Sequence, residues 1–109
     1  MKIDFEKTEE KRVPHFNGGE KEIFLKMISV PGETVLLGRL APGASVGLHA
    51  HRTDSETVCV LSGTGKAICD GELERLVPGS VHYCPKGCSH SLINDGEEEL
   101  RFFAVVPKG

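Results

Sequence analysis

The strongest constraint on this chain is its punctuation. Glycine and proline recur at short intervals along all 109 residues. The segments between them are short, rich in Val, Ile, Leu and Phe, and carry no long run of apolar positions at helical spacing. That rhythm belongs to strands and turns. Nine candidate strands fall at residues 23–30, 34–40, 46–50, 56–61, 66–69, 72–76, 80–84, 89–93 and 100–106. Asp70-Gly71, between two of them, is a hairpin signal because a type I′ turn needs positive φ at both central residues. Ser62-Gly-Thr-Gly65 is a second reversal. Nine short strands leave many edges to protect, and a small barrel or two-sheet jelly roll solves that problem. The length suits one domain with one core. Residues 23–109 should form the barrel. Residues 1–22, charged and irregular, should form an arm that holds at most a stray helical turn or supplies an edge or partner-swapped strand.

Charge and composition exclude several partners. A net charge of −3 and a pI near 5.9, with no basic stripe, give no footprint for nucleic acid. No apolar run is long enough to span a membrane, and Met-Lys-Ile-Asp-Phe-Glu does not resemble a signal peptide, so a cytoplasmic protein is expected. The four cysteines, Cys59, Cys69, Cys84 and Cys88, then default to reduced thiols. Cys84 and Cys88 stand one residue too far apart for a two-residue zinc knuckle or thioredoxin spacing, and small half-buried hydrophobes are the better reading.

Chemistry concentrates at Gly43-Ala-Ser-Val-Gly-Leu-His49-Ala-His51-Arg-Thr-Asp-Ser-Glu56. In an extended segment His49 and His51 share a face. A turn at residues 52–55 could bring Glu56 back on the neighbouring strand. Cys59 has the opposite parity to Glu56 and is left out of any ligand set. A bare His-x-His also fits two exposed residues on a half-wet strand. The second segment changes that balance: Gly79-Ser-Val-His82-Tyr83-Cys-Pro85-Lys-Gly87-Cys-Ser-His90-Ser-Leu-Ile-Asn94 delivers another histidine just after a Pro-x-Gly reversal.

Together the two segments resemble the cupin signature. Gly43, His49, His51, Glu56 and Gly63 fill the first part, and Gly79, Pro85, Gly87, His90 and Asn94 the second. The four-residue gap before the acid is one of the two lengths that family uses. With a single copy, the chain resembles a monocupin of the oxalate decarboxylase-like group. The resemblance implies an all-β fold, a single cupin barrel (double-stranded β-helix or jelly roll). It also implies one divalent metal per chain held by His49, His51, Glu56 and His90. Three imidazoles and a carboxylate form a borderline-to-hard donor set suited to Mn, Fe, Co, Ni or Zn. Mn or Fe is the family-based choice.

The remaining residues leave alternatives open. His82 and Tyr83 sit on opposite faces of one strand, so one of them should face the cavity as a candidate acid or base, and the Pro-x-Gly turn hides which. Arg39 interrupts an apolar strand and either points to solvent or lines the cavity mouth, where it would pair with a substrate carboxylate. Arg52 and Asp54 would rim the entrance, and Asn94 is expected to anchor its strand. The expected function is a metal-dependent enzyme, a decarboxylase, dioxygenase, lyase or isomerase, acting on a small oxygen-rich substrate such as a dicarboxylate, hydroxy-acid or sugar derivative. The alternative is a non-catalytic binding or sensor module in which the metal orients a ligand. The absence of a long lid loop with an acidic proton donor argues against oxalate decarboxylation in particular. Apolar positions at Ile23, Phe24, Leu25 and Met27 suggest a homodimer formed through an N-terminal strand.

Overall fold

The computed structural model describes residues 1–107. Ten strands follow in order: β1 (Lys11–Pro14), β2 (Glu22–Val30), β3 (Glu33–Leu40), β4 (Ser45–Ala50), β5 (Glu56–Ser62), β6 (Gly65–Cys69), β7 (Glu72–Leu76), β8 (Val81–Cys84), β9 (Ser89–Ile93) and β10 (Leu100–Pro107). They form a six-stranded sheet in the order β1-β2-β3-β10-β5-β8 and a four-stranded sheet in the order β4-β9-β6-β7. Every pairing is antiparallel. The nine expected strands are present, and the result is an all-β jelly roll. No helix among the described residues is long and apolar enough to cross a membrane.

Period-two alternation builds the interior. Ile23 and Leu25 on β2, Val58 and Val60 on β5, and Phe102 and Ala104 on β10 all point inward and are at most 5 % exposed. Each larger one contributes about 1.5–3 kcal/mol by leaving water. The hairpin between β6 and β7 turns at Asp70 and Gly71, whose φ angles of 48° and 83° are the two positive values the Asp-Gly pair signals. Asn94 is fully buried. It donates to the carbonyls of Leu40 and Glu98, each at 2.8 Å, and accepts from the Gly96 amide, tying the end of β9 to β3 and to the turn before β10.

The first 22 residues run against the barrel wall. Asp4 caps a short 3-10 turn at Phe5–Lys7, accepting from the Glu6 amide. Phe5 meets Phe103 edge-on at 6.2 Å. β1 is the edge strand of its own chain's six-stranded sheet, in register with β2 from Lys11 opposite Leu25 to Pro14 opposite Glu22. A second 3-10 turn, Phe16–Gly18, lies along β4, held by the Ser45 amide donating to the Glu20 carbonyl at 3.0 Å and the Glu20 amide donating to Ser45 Oγ at 2.8 Å. Composition alone gave no signal for this docking.

Candidate metal centre

β4 with the residue that follows it, and its neighbour β9, carry the three histidines, and simple alternation along β4 would have turned two of them outward. Val46 faces the core, so unbroken alternation would bury Leu48 and expose His49 and His51. Instead Val46 pairs with Leu92 but His49 pairs with His90, which places an extra residue in β4 between them. This β-bulge at Gly47–Leu48 re-aims the strand. Leu48 is 68 % exposed, while His49 and His51 face the interior. Glu56, at the start of β5, enters the same space from the opposite sheet, and His90 enters from β9.

Each imidazole of this cluster has its Nδ1 occupied. His49 Nδ1 donates to the Gly47 carbonyl at 2.8 Å, within the bulge itself. His51 Nδ1 donates to Asp54 Oδ1 at 2.7 Å. His82 Nδ1 donates to Glu74 Oε1 at 2.7 Å, which leaves the His82 Nε2 lone pair to accept from His90 Nδ1 at 2.9 Å. These acceptors fix the tautomers, because a carbonyl or carboxylate can only accept. The Nε2 lone pairs of His51 and His90 then point at each other across 3.0 Å, and Glu56 Oε1 lies 3.1 and 2.9 Å from them. With the rings neutral, three electron-pair donors converge with no proton of their own to share.

A cation resolves that convergence, and the spacing suits one. With metal–donor bonds of about 2.0–2.2 Å, adjacent donors around an octahedral ion stand roughly 2.8–3.1 Å apart, and a tetrahedral ion would hold them about 3.3–3.6 Å apart. The observed triangle matches one octahedral face. His49 completes the set, and one donor atom from each of His49, His51, Glu56 and His90 lies within 4.8 Å of the others. Four protein donors on such an ion leave two positions for exogenous ligands. Burial alone would push the Glu56 carboxyl up, but the surrounding imidazoles of His90, His51 and His49 outweigh it and hold the group below its usual range. Burial lowers the His49 imidazole despite its bond to Gly47, so this ring favours the neutral, ligating form.

The donors sit in a cavity of about 200 Å³ whose other walls include Leu25, Met27, Leu36, Phe102 and Val106, with Phe16 and Asn17 from the loop docked on β4. His82 lines it and is 1 % exposed. Tyr83 projects from the outer face of β8, 55 % exposed, and does not line the cavity, as alternation from a buried His82 requires. Of the two, His82 is the side chain that faces the cavity, and both its ring nitrogens are engaged. Arg39 also lies on the outer face. It binds Glu10 through two nitrogens at 3.0 and 2.7 Å and Glu99 at 2.9 Å, and stacks 4.1 Å over the Phe24 ring. It takes no part in the cavity, so its expected substrate contact is replaced by a clamp between the N-terminal segment and the turn before β10.

All four thiols are free. Burial pushes the Cys84 thiol up to about 12, with its neighbours Cys69 and Cys88 adding to the shift. That thiol is inert at neutral pH. Sequence reasoning missed Glu74 and the loop at residues 16–19. Glu74 gave no signal because it acts through His82 on a different strand pair.

Comparison with known proteins agrees with the geometry. A family model described as a cupin domain matches residues 36–106, nearly two thirds of the chain. The chain belongs to the cupin family. It is 33 % identical over 101 residues to the oxalate-binding protein of Thermotoga maritima, covering 87 % of this chain and 84 % of that one. The crystal structure of a predicted oxalate decarboxylase from Thermotoga maritima superposes with a TM-score of 0.93 at 27 % identity over the whole of both chains. A sugar phosphate isomerase from a cupin superfamily, from Silicibacter pomeroyi, gives 0.80 at 22 % identity, covering all of this cupin and 76 % of that chain, which speaks to fold alone.

Proposed function

We propose that this cupin is a metal-dependent enzyme acting on a small, oxygen-rich acid, with one divalent ion held by His49, His51, Glu56 and His90. The convergence of two unprotonated Nε2 atoms and a carboxylate oxygen within 3.1 Å carries this reading. Mn or Fe is favoured, with Zn, Ni and Co as alternatives the same donors accept. Such an ion supplies Lewis acidity to substrate oxygens. The protein's part is to fix three tautomers through Gly47, Asp54 and His82, to present one compensating carboxylate, and to exclude water with apolar walls. The oxalate-binding relative supports a chelating carboxylate ligand.

One observation favours the second reading, a binding module without turnover. Among the described residues His82 is the only cavity-lining titratable group outside the ligand set, and both its nitrogens are hydrogen-bonded, so none of them offers a free acid or base to the ligand. Steady product formation by the Mn- or Fe-loaded protein on a panel of dicarboxylates, hydroxy-acids, catechols and sugar phosphates supports the enzyme. Stoichiometric uptake with no product supports the module. Failure of His51→Ala and His90→Ala to reduce the bound ion, in folded protein, refutes both.

Self-association and a cytoplasmic location complete the proposal. Val81 and Tyr83 on β8 and Leu61 on β5 are more than half exposed on the outer face of the larger sheet, apolar surface that a second copy would cover. Sedimentation as a monomer at micromolar concentration removes the dimer. Four free thiols suit a reducing compartment.

A further inference from the structure

We infer that the cavity selects a monoanionic chelating acid with a small apolar tail, a 2-oxo or 2-hydroxy carboxylate bearing an aliphatic side chain, over dicarboxylates and sugar phosphates. This rests on the metal-site reading above and narrows its substrate class. The first observation is a charge count. A divalent ion, three neutral imidazoles and the Glu56 carboxylate sum to +1, which one carboxylate on the ligand neutralises. The carboxylates on the far side of His51 and His82, from Asp54 and Glu74, only subtract from that.

The second observation is what lies beyond the donors. Among the described residues, no lysine or arginine lines the cavity. The nearest candidate from the sequence, Arg39, is spent on Glu10 and Glu99 outside the barrel. Lys21 donates to the Pro42 carbonyl and Lys26 to the Phe5 carbonyl. A second anionic group would therefore lie against Leu25, Leu36 and Phe102 with no cation to pair with, an arrangement that costs affinity. Hydrocarbon in the same place gains affinity. The volume, about 200 Å³, is below the roughly 300–1,000 Å³ of sites for drug-sized ligands. The tail is therefore a few carbons long.

Calorimetric titration of the Mn-loaded protein with 2-oxo acids of one chelating head and different tails tests this directly. Each buried methylene should tighten binding roughly fourfold, so 3-methyl-2-oxobutanoate should bind about 15-fold tighter than 2-oxopropanoate. The tail carboxylate of 2-oxopentanedioate should make it the weakest of the three. A cation placed in the wall by Leu36→Arg, or by Val106→Lys nearer the strand end should the first not fold, should reverse that order. Equal or tighter binding of 2-oxopentanedioate by the unaltered protein overturns the inference and leaves the metal-site reading standing. No uptake of any of these acids or of oxalate overturns both.

Discussion

Removing the carboxylate of Asp54 isolates the part of the site that the chain itself pre-sets. Asp54 Oδ1 accepts from His51 Nδ1 at 2.7 Å, and this bond keeps the ring turned with its Nε2 lone pair on the point shared with Glu56 and His90. In Asp54→Ala the Nδ1–H faces solvent, the ring regains its other tautomer and rotation, and a nearby negative charge is lost. Losing such an outer partner typically weakens metal binding by about 10–100-fold. Asp54 contributes little to the metal-free fold, because its side chain is 30 % exposed. The variant should therefore unfold near the wild-type temperature without metal. With free ion at 100 times the wild-type Kd, binding stabilises the wild type by about 2.7 kcal/mol, a tenfold weaker site by about 1.4 and a hundredfold weaker one by about 0.4 kcal/mol. At roughly 4 °C per kcal/mol for a domain of this size, the metal-induced rise in Tm should drop from about 11 °C to between 2 and 6 °C. Asp54→Asn keeps an acceptor oxygen and should recover much of the loss. Calorimetric metal titration beside the thermal scans gives the affinity itself. Wild-type affinity in Asp54→Ala would mean that solvent orients His51 equally well, and the reasoning from tautomer control fails.

Two further perturbations probe the frame. Leu100, with no exposed surface where β10 begins, should cost about 2–5 kcal/mol as Leu100→Ala, read as a lower denaturant midpoint; an unchanged midpoint refutes its place in the core. The Glu10–Arg39 clamp carries a pH signature: the hydrogen bond from Arg39 holds the Glu10 carboxyl below its ordinary 4.5, so the clamp's stability is present above that value and lost as pH falls through the folded one. Glu10→Gln should therefore lower Tm slightly at pH 7 and approach the wild type in acid, while a difference constant with pH would sink this account. Arg39→Met should leave ligand affinity unchanged.

The strands and the four donors were legible in the sequence because both depend on local spacing. Glycine and proline mark where chains reverse, and a Gly…His-x-His…Glu pattern places its donors on adjoining strands. What stayed hidden depends on tertiary position. Parity alone could not choose between His82 and Tyr83 across the Pro85–Gly87 turn, because the choice is made by the pairing of Val58 with His82 on the inner face of β5 and β8. Arg39 was ambiguous for a similar reason: its partners Glu10 and Glu99 lie 29 and 60 residues away in sequence. The docking of residues 16–19 on β4 has no periodic pattern at all, and rests on positive φ at His15, Asn17 and Gly18.

That docking explains why a glycine stands inside the bulge that aims the histidines. A side-chain carbon on Gly47 would overlap the Asn17 carbonyl oxygen and come within 2.8 Å of the Gly19 amide nitrogen, both backbone atoms that no rotamer change can move aside. The Gly47 carbonyl at the same residue holds His49 Nδ1. Gly47→Ala must therefore lift residues 16–19 from β4, open the cavity wall at Phe16 and Asn17, and cost about 1–3 kcal/mol as an overpacking change. The expected result is a lower Tm together with faster cleavage by a protease of limited specificity at residues 15–20, while the opposite wall, lined by Phe102 and Val58, stays protected. Because the hydrogen bonds that hold His51, Glu56 and His90 run to Asp54, His82 and one another and not to the loop, the ion should still bind, weakened through His49. A Gly47→Ala protein with wild-type Tm and an uncleaved loop would show that β4 yields more readily than its neighbour, and the bulge would then owe its glycine to something other than this close approach.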